Sequence, residues 1–504
     1  MIISNQSLDR LPAGKAIVPE KKHLSLPEKV LQFGTGVLLR GLPDYFIDKA
    51  NRNGSFNGRT VVVKSTGKGD VKAFEDQDCL YTICVRGIEN GLRVEENILS
   101  SAISRVLQAG QDWPAVLEAG ARAGLDLIIS NTTEVGIRFN PEDIRQQPPV
   151  SFPAKLLAVL HHRYQVLGDT ASAALAVIAT ELIPDNGKKL KDIVLQLVEY
   201  NNLNEDFNKW LEKRVLFCSS LVDRIVPGKP DGATLAGLEK ELGYSDELLI
   251  VAEPYRLWAI EGGAEVSALL GLESADSGVI VRPDIEVYRE LKVRLLNGTH
   301  SLACAIAYLS GIETVNQAMN NGALKSYITE VMRQEIIPAI PYQVDVQEAL
   351  AFSKTVLDRF ANPYIEHFWM SISLQYSMKM KIRIIPLLLQ YYKVYNQVPV
   401  HIAFGFAAFL SFMKISRKDG DNYYGTQNGR EYLITDDQVA YFYQKSQLEP
   451  AEYIAAVLCN TGLWGAALSG LPGFAAAVEE NYRYISENGM TQALLQAGIA
   501  LQAD

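Results

Sequence analysis

A short apolar run that stops at two glycines constrains this chain more than any other local feature. Val30-Leu31-Gln32-Phe33 ends at Gly34-Thr35-Gly36, and Val37 to Ile47 continues at helical spacing. That order predicts strand, glycine turn and helix, a unit whose backbone amides can approach a pyrophosphate at the helix N-terminus. The usual third glycine is missing: Leu39 stands there, and Gly41 comes two residues late. Arg59 to Lys64 predicts a second strand, Asp126 to Ser130 a third and Ala173 to Thr180 a fourth. In open α/β sheets a cofactor lies beyond the carboxyl ends of such strands. Gly34, Thr35 and Gly36, with Asn131, Thr132, Thr133 and Glu134, are therefore candidates to line one crevice. Asn131 to Glu134 reads equally well as N-cap chemistry for a following helix.

At 504 residues the chain exceeds what one core normally supports, so two or three domains are expected. Apolar residues make up 48% and charged residues 21%, a soluble globular profile. The net charge of −10 argues against a nucleic-acid partner, and it means that an anionic substrate needs a local cluster of Lys or Arg. Cys79, Cys84, Cys218, Cys304 and Cys459 show no metal-ligand spacing and read as reduced core residues, with no metal site. The N-terminus lacks a basic segment before an apolar run. The weakly charged stretch from Gly462 to Val478 is broken by Gly and Pro and reads as buried helix. The expectation is a cytoplasmic protein without membrane partners, either a monomer or a small homo-oligomer.

Between the second and third strands, Tyr81 to Arg86 and Leu92 to Val94 flank Glu89-Asn90-Gly91, a hairpin signal. An acidic residue closing the second strand would favour NAD. Here Lys64, Ser65 and Thr66 follow, with Lys68 and Asp70 beyond, so these residues leave NAD against NADP open.

After about residue 285 the periodicity becomes helical, as in Ser301 to Leu309, Tyr327 to Ile337, Ala403 to Ser416 and Ala451 to Leu463. The expected architecture is an α/β Rossmann-type domain over 1–284, followed by a mostly α-helical substrate-binding domain over 285–504. Asn362-Pro363 reads as a helix start, with His367 on the helix that follows. Further on, Lys379 and Arg383 are four apart and share a face if helical, a candidate carboxylate clamp. A solvated helix face would show the same spacing.

Lys292, Asn297 and His300 bring an amine, a carboxamide and an imidazole into one helical sector, His300 about 80° and Asn297 about 140° from Lys292 at 100° per residue. A lysine whose pKa is lowered can shuttle a proton to an alcohol, and an amide can donate to a developing alkoxide. Asn297-Gly298 is also a strong turn signal.

With these residues in hand, the chain resembles the polyol-specific long-chain dehydrogenases, the mannitol dehydrogenase family. Val215 to Pro227, centred on Val222-Asp223-Arg224, is similar to the family signature. Lys292, Asn297 and His300 fit its catalytic pattern, and Gly34-Thr35-Gly36 with Arg40 fits its cofactor turn. Phrases such as Ser130 to Glu134, Glu181-Leu182-Ile183, Glu335 to Pro338 and Asn362 to Ile365 resemble the family's uronate-reducing branch. The resemblance implies NAD as cofactor, a small sugar-acid substrate and direct hydride transfer. It further implies Lys292 as general acid/base, Asn297 as oxyanion donor, His300 as a positioning group, and His367, Lys379 and Arg383 as substrate contacts. Hexitol-oxidising members place a second oxyanion Asn where Leu182 stands. Asp223 and Arg224 read as ion-pair or packing residues.

Overall fold

Alternate residues of the first strands go to opposite faces of one parallel sheet, which is why their sequences are apolar almost throughout. The computed structural model describes residues 1–65, 71–133 and 136–500, with side chains to residue 497. The strands of the sheet are β1 (Glu28–Phe33), β2 (Arg59–Lys64), β3 (Ile103–Gln108), β4 (Leu127–Ser130), β5 (Leu175–Ala179) and β6 (Val215–Cys218). Their order is β3-β2-β1-β4-β5-β6 and every pairing is parallel. Val30, Val62, Leu127, Ile129 and Ile178 join one core. Leu31, Phe33, Val61, Val63, Ile128 and Val177 join another, on the opposite face. The order reverses between β1 and β4, the position at which doubly wound sheets bind ligands.

The glycine turn departs from expectation in its helix. Val37–Gly41 is one short helix, Leu42 breaks it at φ −134° and ψ −76°, and Pro43–Asn53 follows as a second. Pro43 explains the break, because it has no N–H to continue the hydrogen-bond ladder. The hairpin forms from Tyr81–Glu89 and Leu92–Ser100. Asn90 and Gly91 both have positive φ, as a two-residue type I′ turn demands.

The chain divides into two compact units, residues 1–87 with 93–285, and residues 88–92 with 286–504. The second is helical around one core. In it, Val400–Phe412 packs on Thr299–Leu309 through Gly405, where a Cβ would lie 2.9 Å from Leu302 and 2.6 Å from the Tyr327 hydroxyl. A three-stranded meander over Arg417–Asp419, Asn422–Gln427 and Arg430–Leu433 was not expected there. Its strands are largely exposed and carry no alternating apolar pattern. The stretch read as one buried helix, Gly462 to Val478, is instead split by Gly465 and Gly473, both at positive φ. Four cysteines are buried and Cys459 is exposed, against the expectation that all five lie in the core. Among the described residues no helix is long and apolar enough to cross a membrane.

Candidate active site

In the first unit, the chain turns at Gly34 with φ +134°, and a Cβ there would meet Leu39 Cδ1 at 2.8 Å and the Asn131 carbonyl at 3.2 Å. Only glycine fits. Gly36 is different: it is exposed, its φ is −64°, and a Cβ would meet nothing within 4 Å. Open space therefore lies over the turn, with Thr35 half-buried beside it. That is the room a pyrophosphate needs to approach the backbone. Gly41, the late third glycine, brings its helix within 2.9 Å (to a Cβ) of Val226 and 3.5 Å of Ile250.

Arg40, expected at the cofactor turn, is instead engaged in packing. Its guanidinium lies over the rings of Phe74 and Tyr81, at 5.8 and 5.4 Å, and donates to the Leu248 carbonyl. Arg224 packs similarly: it donates to the carbonyls of Glu253 (2.9 Å) and Gly41 (2.7 Å) and lies 4.4 Å from the Tyr45 ring.

The carboxyl ends of β4 and β5 are laced together. Asn131 Nδ2 donates to the Thr180 carbonyl and hydroxyl, both at 3.0 Å. Glu181 accepts from the Thr132 amide at 2.9 Å and from the Thr132 and Ser130 hydroxyls. Burial raises the Glu181 pKa against these hydrogen bonds. Among the described residues the next helix after Asn131 begins at Phe152 with Ser151 as its cap, so Asn131 to Thr133 cap no helix there. Thr133 is exposed, and so is Leu182. Glu134, and Thr66, Lys68 and Asp70 after β2, lie outside the described residues.

In the second unit, Lys292–Gly298 is a π-helix that runs directly into the α-helix Thr299–Leu309. Asn297-Gly298 is therefore not a turn. Bonding from i to i+5 lowers the rotation per residue, so the five-residue step from Lys292 to Asn297 comes back nearer one full turn than the ~140° of an α-helix. Both residues are half-buried, and His300 is buried.

The His300 ring stacks on Phe360 at 4.2 Å and 13°, and meets His367 edge-on at 5.1 Å and Trp369 at 6.0 Å. Its Nε2 has no protein partner, nor do Trp369 Nε1 and Thr299 Oγ1. Burial, then the charges of His367, Arg383, Arg359 and Lys379, hold the His300 pKa well below its ordinary value. His367 is lowered by burial, Lys379 and Arg359. Asn362-Pro363 starts no helix: Asn362 Oδ1 accepts the Tyr364 amide at 2.9 Å, an Asx turn, and His367 follows in a loop.

Lys379 and Arg383 do share a face of Tyr376–Arg383, and it is not a solvated one. Lys379 Nζ donates to the Ile372 carbonyl at 2.8 Å. Arg383 donates to the Asn297 carbonyl at 3.2 Å and the Ser301 hydroxyl at 3.1 Å. Arg294, inside the π turn, returns the contact by donating to the carbonyls of Ile382 and Arg383. Burial lowers Lys379, helped by Arg383, and brings Arg383 down to about 10. Arg359, Phe360 and Trp369 are too distant along the chain for any spacing to link them to Lys292, and Arg294 falls on the opposite side of a helix from Lys292 at about 100° per residue, so none of the four was expected in this cluster.

The mannitol dehydrogenase Rossmann-domain model matches residues 28–273, and the mannitol dehydrogenase C-terminal-domain model matches residues 284–486. An altronate oxidoreductase of Halalkalibacterium halodurans is 38% identical over 484 residues, 94% of each chain. One of Bacillus subtilis is 36% identical over 475 residues, 93% of this chain and 95% of that one. A substrate-free D-sorbitol dehydrogenase shares the fold with a TM-score of 0.76 at 19% identity, covering 98% of this chain and all of that one. The Pseudomonas fluorescens mannitol 2-dehydrogenase, in ternary complex with NAD and D-mannitol, gives 0.66 at 21% over 99% of both chains. The chain belongs to the mannitol dehydrogenase family, and is a dinucleotide-dependent dehydrogenase acting on a CH–OH group.

Proposed function

We propose that the chain interconverts D-tagaturonate and D-altronate with NAD(H), as a tagaturonate reductase. The observation that carries this reading is the cationic cluster of the helical unit. Lys379 and Arg383 are half-buried, Arg359 adds charge, and no carboxylate is among the charges acting most strongly on His300, His367, Lys379 or Arg383 among the described residues. A desolvated positive site of that kind favours an anion, and a uronate brings a carboxylate. The altronate oxidoreductases similar over nearly the whole chain support the same substrate class.

Gly34, Thr35 and Gly36 would hold the dinucleotide pyrophosphate, with Asn131, Thr132 and Thr133 along the crevice. A nicotinamide held at that turn would supply the hydride for the keto carbon in reduction and accept it in oxidation. Lys292 delivers the proton to the carbonyl oxygen in reduction and removes it in oxidation. The Asn297 amide donates to that oxygen as negative charge develops, a contribution of about 3 kcal/mol for donors of this type. His300 stays neutral near pH 7, so it positions a hydroxyl through its unpartnered Nε2 and leaves the proton transfer to Lys292. Leu182, where hexitol-oxidising members have Asn, fits a substrate other than a hexitol. Steady-state assays with tagaturonate, fructuronate and fructose test the assignment: tagaturonate should give the highest kcat/KM, and fructose as best substrate would overturn it.

A further inference from the structure

Directly behind the glycine turn lies a buried polar cluster that the chemistry above does not use. Gln32, fully buried on β1, donates from Nε2 both to Asp44 Oδ2 (3.1 Å) and to the Gly34 carbonyl (3.4 Å). Asp44 is also fully buried, in the first turn of Pro43–Asn53. Gln32 Oε1, Asp44 Oδ1 and Thr60 Oγ1 are buried and have no hydrogen-bond partner of ordinary geometry. Three under-satisfied polar groups in one core are costly, and such clusters are kept where they do something.

We infer that Asp44, acting through Gln32, is a positioning residue for the dinucleotide: its carboxylate holds the Gln32 amide against the Gly34 carbonyl and so fixes the turn that receives the pyrophosphate. Protonation takes away the charge that makes the carboxylate a strong acceptor and leaves only a weaker, neutral carbonyl oxygen facing Gln32. A neutral Asp44 also gains a hydroxyl that competes for Gln32 Oε1, and turning the amide to meet it breaks the bond to Gly34. The inference rests on the reading of the turn as a dinucleotide site.

Burial raises the Asp44 pKa to about 7, against the Gln32 hydrogen bond, the nearby Thr60 hydroxyl and the Arg40 charge. Asp48, on the same helix, raises it further. Tyr81 faces the pair from its strand and is neutral, its own pKa pushed far up by burial, and Asp246 acts on Arg40. Binding that requires the ionised form weakens as pH falls through about 7, by up to tenfold per unit.

Fluorescence titration of the full chain with NADH at pH 6 and pH 8 tests this. The wild-type Kd should be about tenfold higher at pH 6, and Asp44→Asn should bind with a Kd that changes little between them. Gln32→Met, which keeps Asp44 but cuts its link to Gly34, should be equally insensitive if Asp44→Asn does not fold. Either variant retaining the wild-type pH dependence overturns the inference, as does a wild-type Kd that is the same at both pH values. Absence of saturable NADH binding at any pH would instead overturn the dinucleotide reading.

Discussion

The Arg383 guanidinium donates to the Asn297 carbonyl across 3.2 Å, tying the helix that carries the basic pair to the π turn. Lys379, one turn earlier on that helix, has no such tie and bonds the Ile372 carbonyl instead. The two cations therefore have separable effects. Lys379→Ala should raise KM for a uronate by about 10- to 100-fold, the worth of a charged hydrogen bond, and leave KM for a neutral ketose almost unchanged. Arg383→Ala should raise the uronate KM too, but also lower kcat for both substrates, because the backbone beside Asn297 loses its support. Equal KM increases for charged and neutral substrates would remove the carboxylate clamp.

Gly34 and Gly36 are two residues apart and should respond oppositely to substitution. At Gly34, φ of +134° and the 2.8 Å approach to Leu39 make alanine strained, at about 1–3 kcal/mol of stability. At Gly36 a side chain meets open space, so Gly36→Val should melt like wild type while binding NADH much more weakly. Thermal melts and NADH titration of both variants distinguish fold from ligand room.

Arg163 is fully buried and donates to five carbonyls, those of Gly120, Arg122, Leu125, Ser172 and Ala173. Burial lowers its pKa to about 10, which still leaves it charged at neutrality. A lysine has three donors on one nitrogen and cannot span these acceptors. Arg163→Lys should cost at least about 3 kcal/mol in urea unfolding, and Arg163→Met more. A loss under 1 kcal/mol would mean that the carbonyls find other donors.

What the sequence disclosed follows from which patterns are local. The glycine turn and strands β1, β2, β4 and β5 are legible because each is a short apolar run beside turn residues. β3 was hidden, since Ser104 and Arg105 interrupt its apolar run and both engage Glu28. β6 lay inside the stretch read as a family signature. The substrate cluster was half legible: Lys379 and Arg383 share a helical face by spacing alone. Arg359 and Trp369 reach His300 only through folding, and a π turn leaves no mark on a pattern read at 100° per residue.

Lys292→Ala separates chemistry from binding. If Lys292 moves the proton, the variant should lose at least about 10²-fold in kcat with tagaturonate. NADH titration should give an unchanged Kd, because the glycine turn is untouched. An unchanged kcat would pass the proton role to another group.

His300 makes stability depend on pH in a definite direction. Its pKa is lowered in the folded chain, by burial first and then by neighbouring cations, so below about pH 6.5 the unfolded chain binds the proton that the native chain refuses. Stability is therefore fully present above pH 6.5 and falls as pH drops below it, with His367 adding to the slope in the same sense. His300→Phe keeps a ring on Phe360 and removes the titrating group. Between pH 7 and pH 5 the wild type should lose more stability than this variant in urea unfolding. Parallel losses in the two proteins would mean that His300 takes up a proton as readily folded as unfolded, and the neutral role assigned to it would fall.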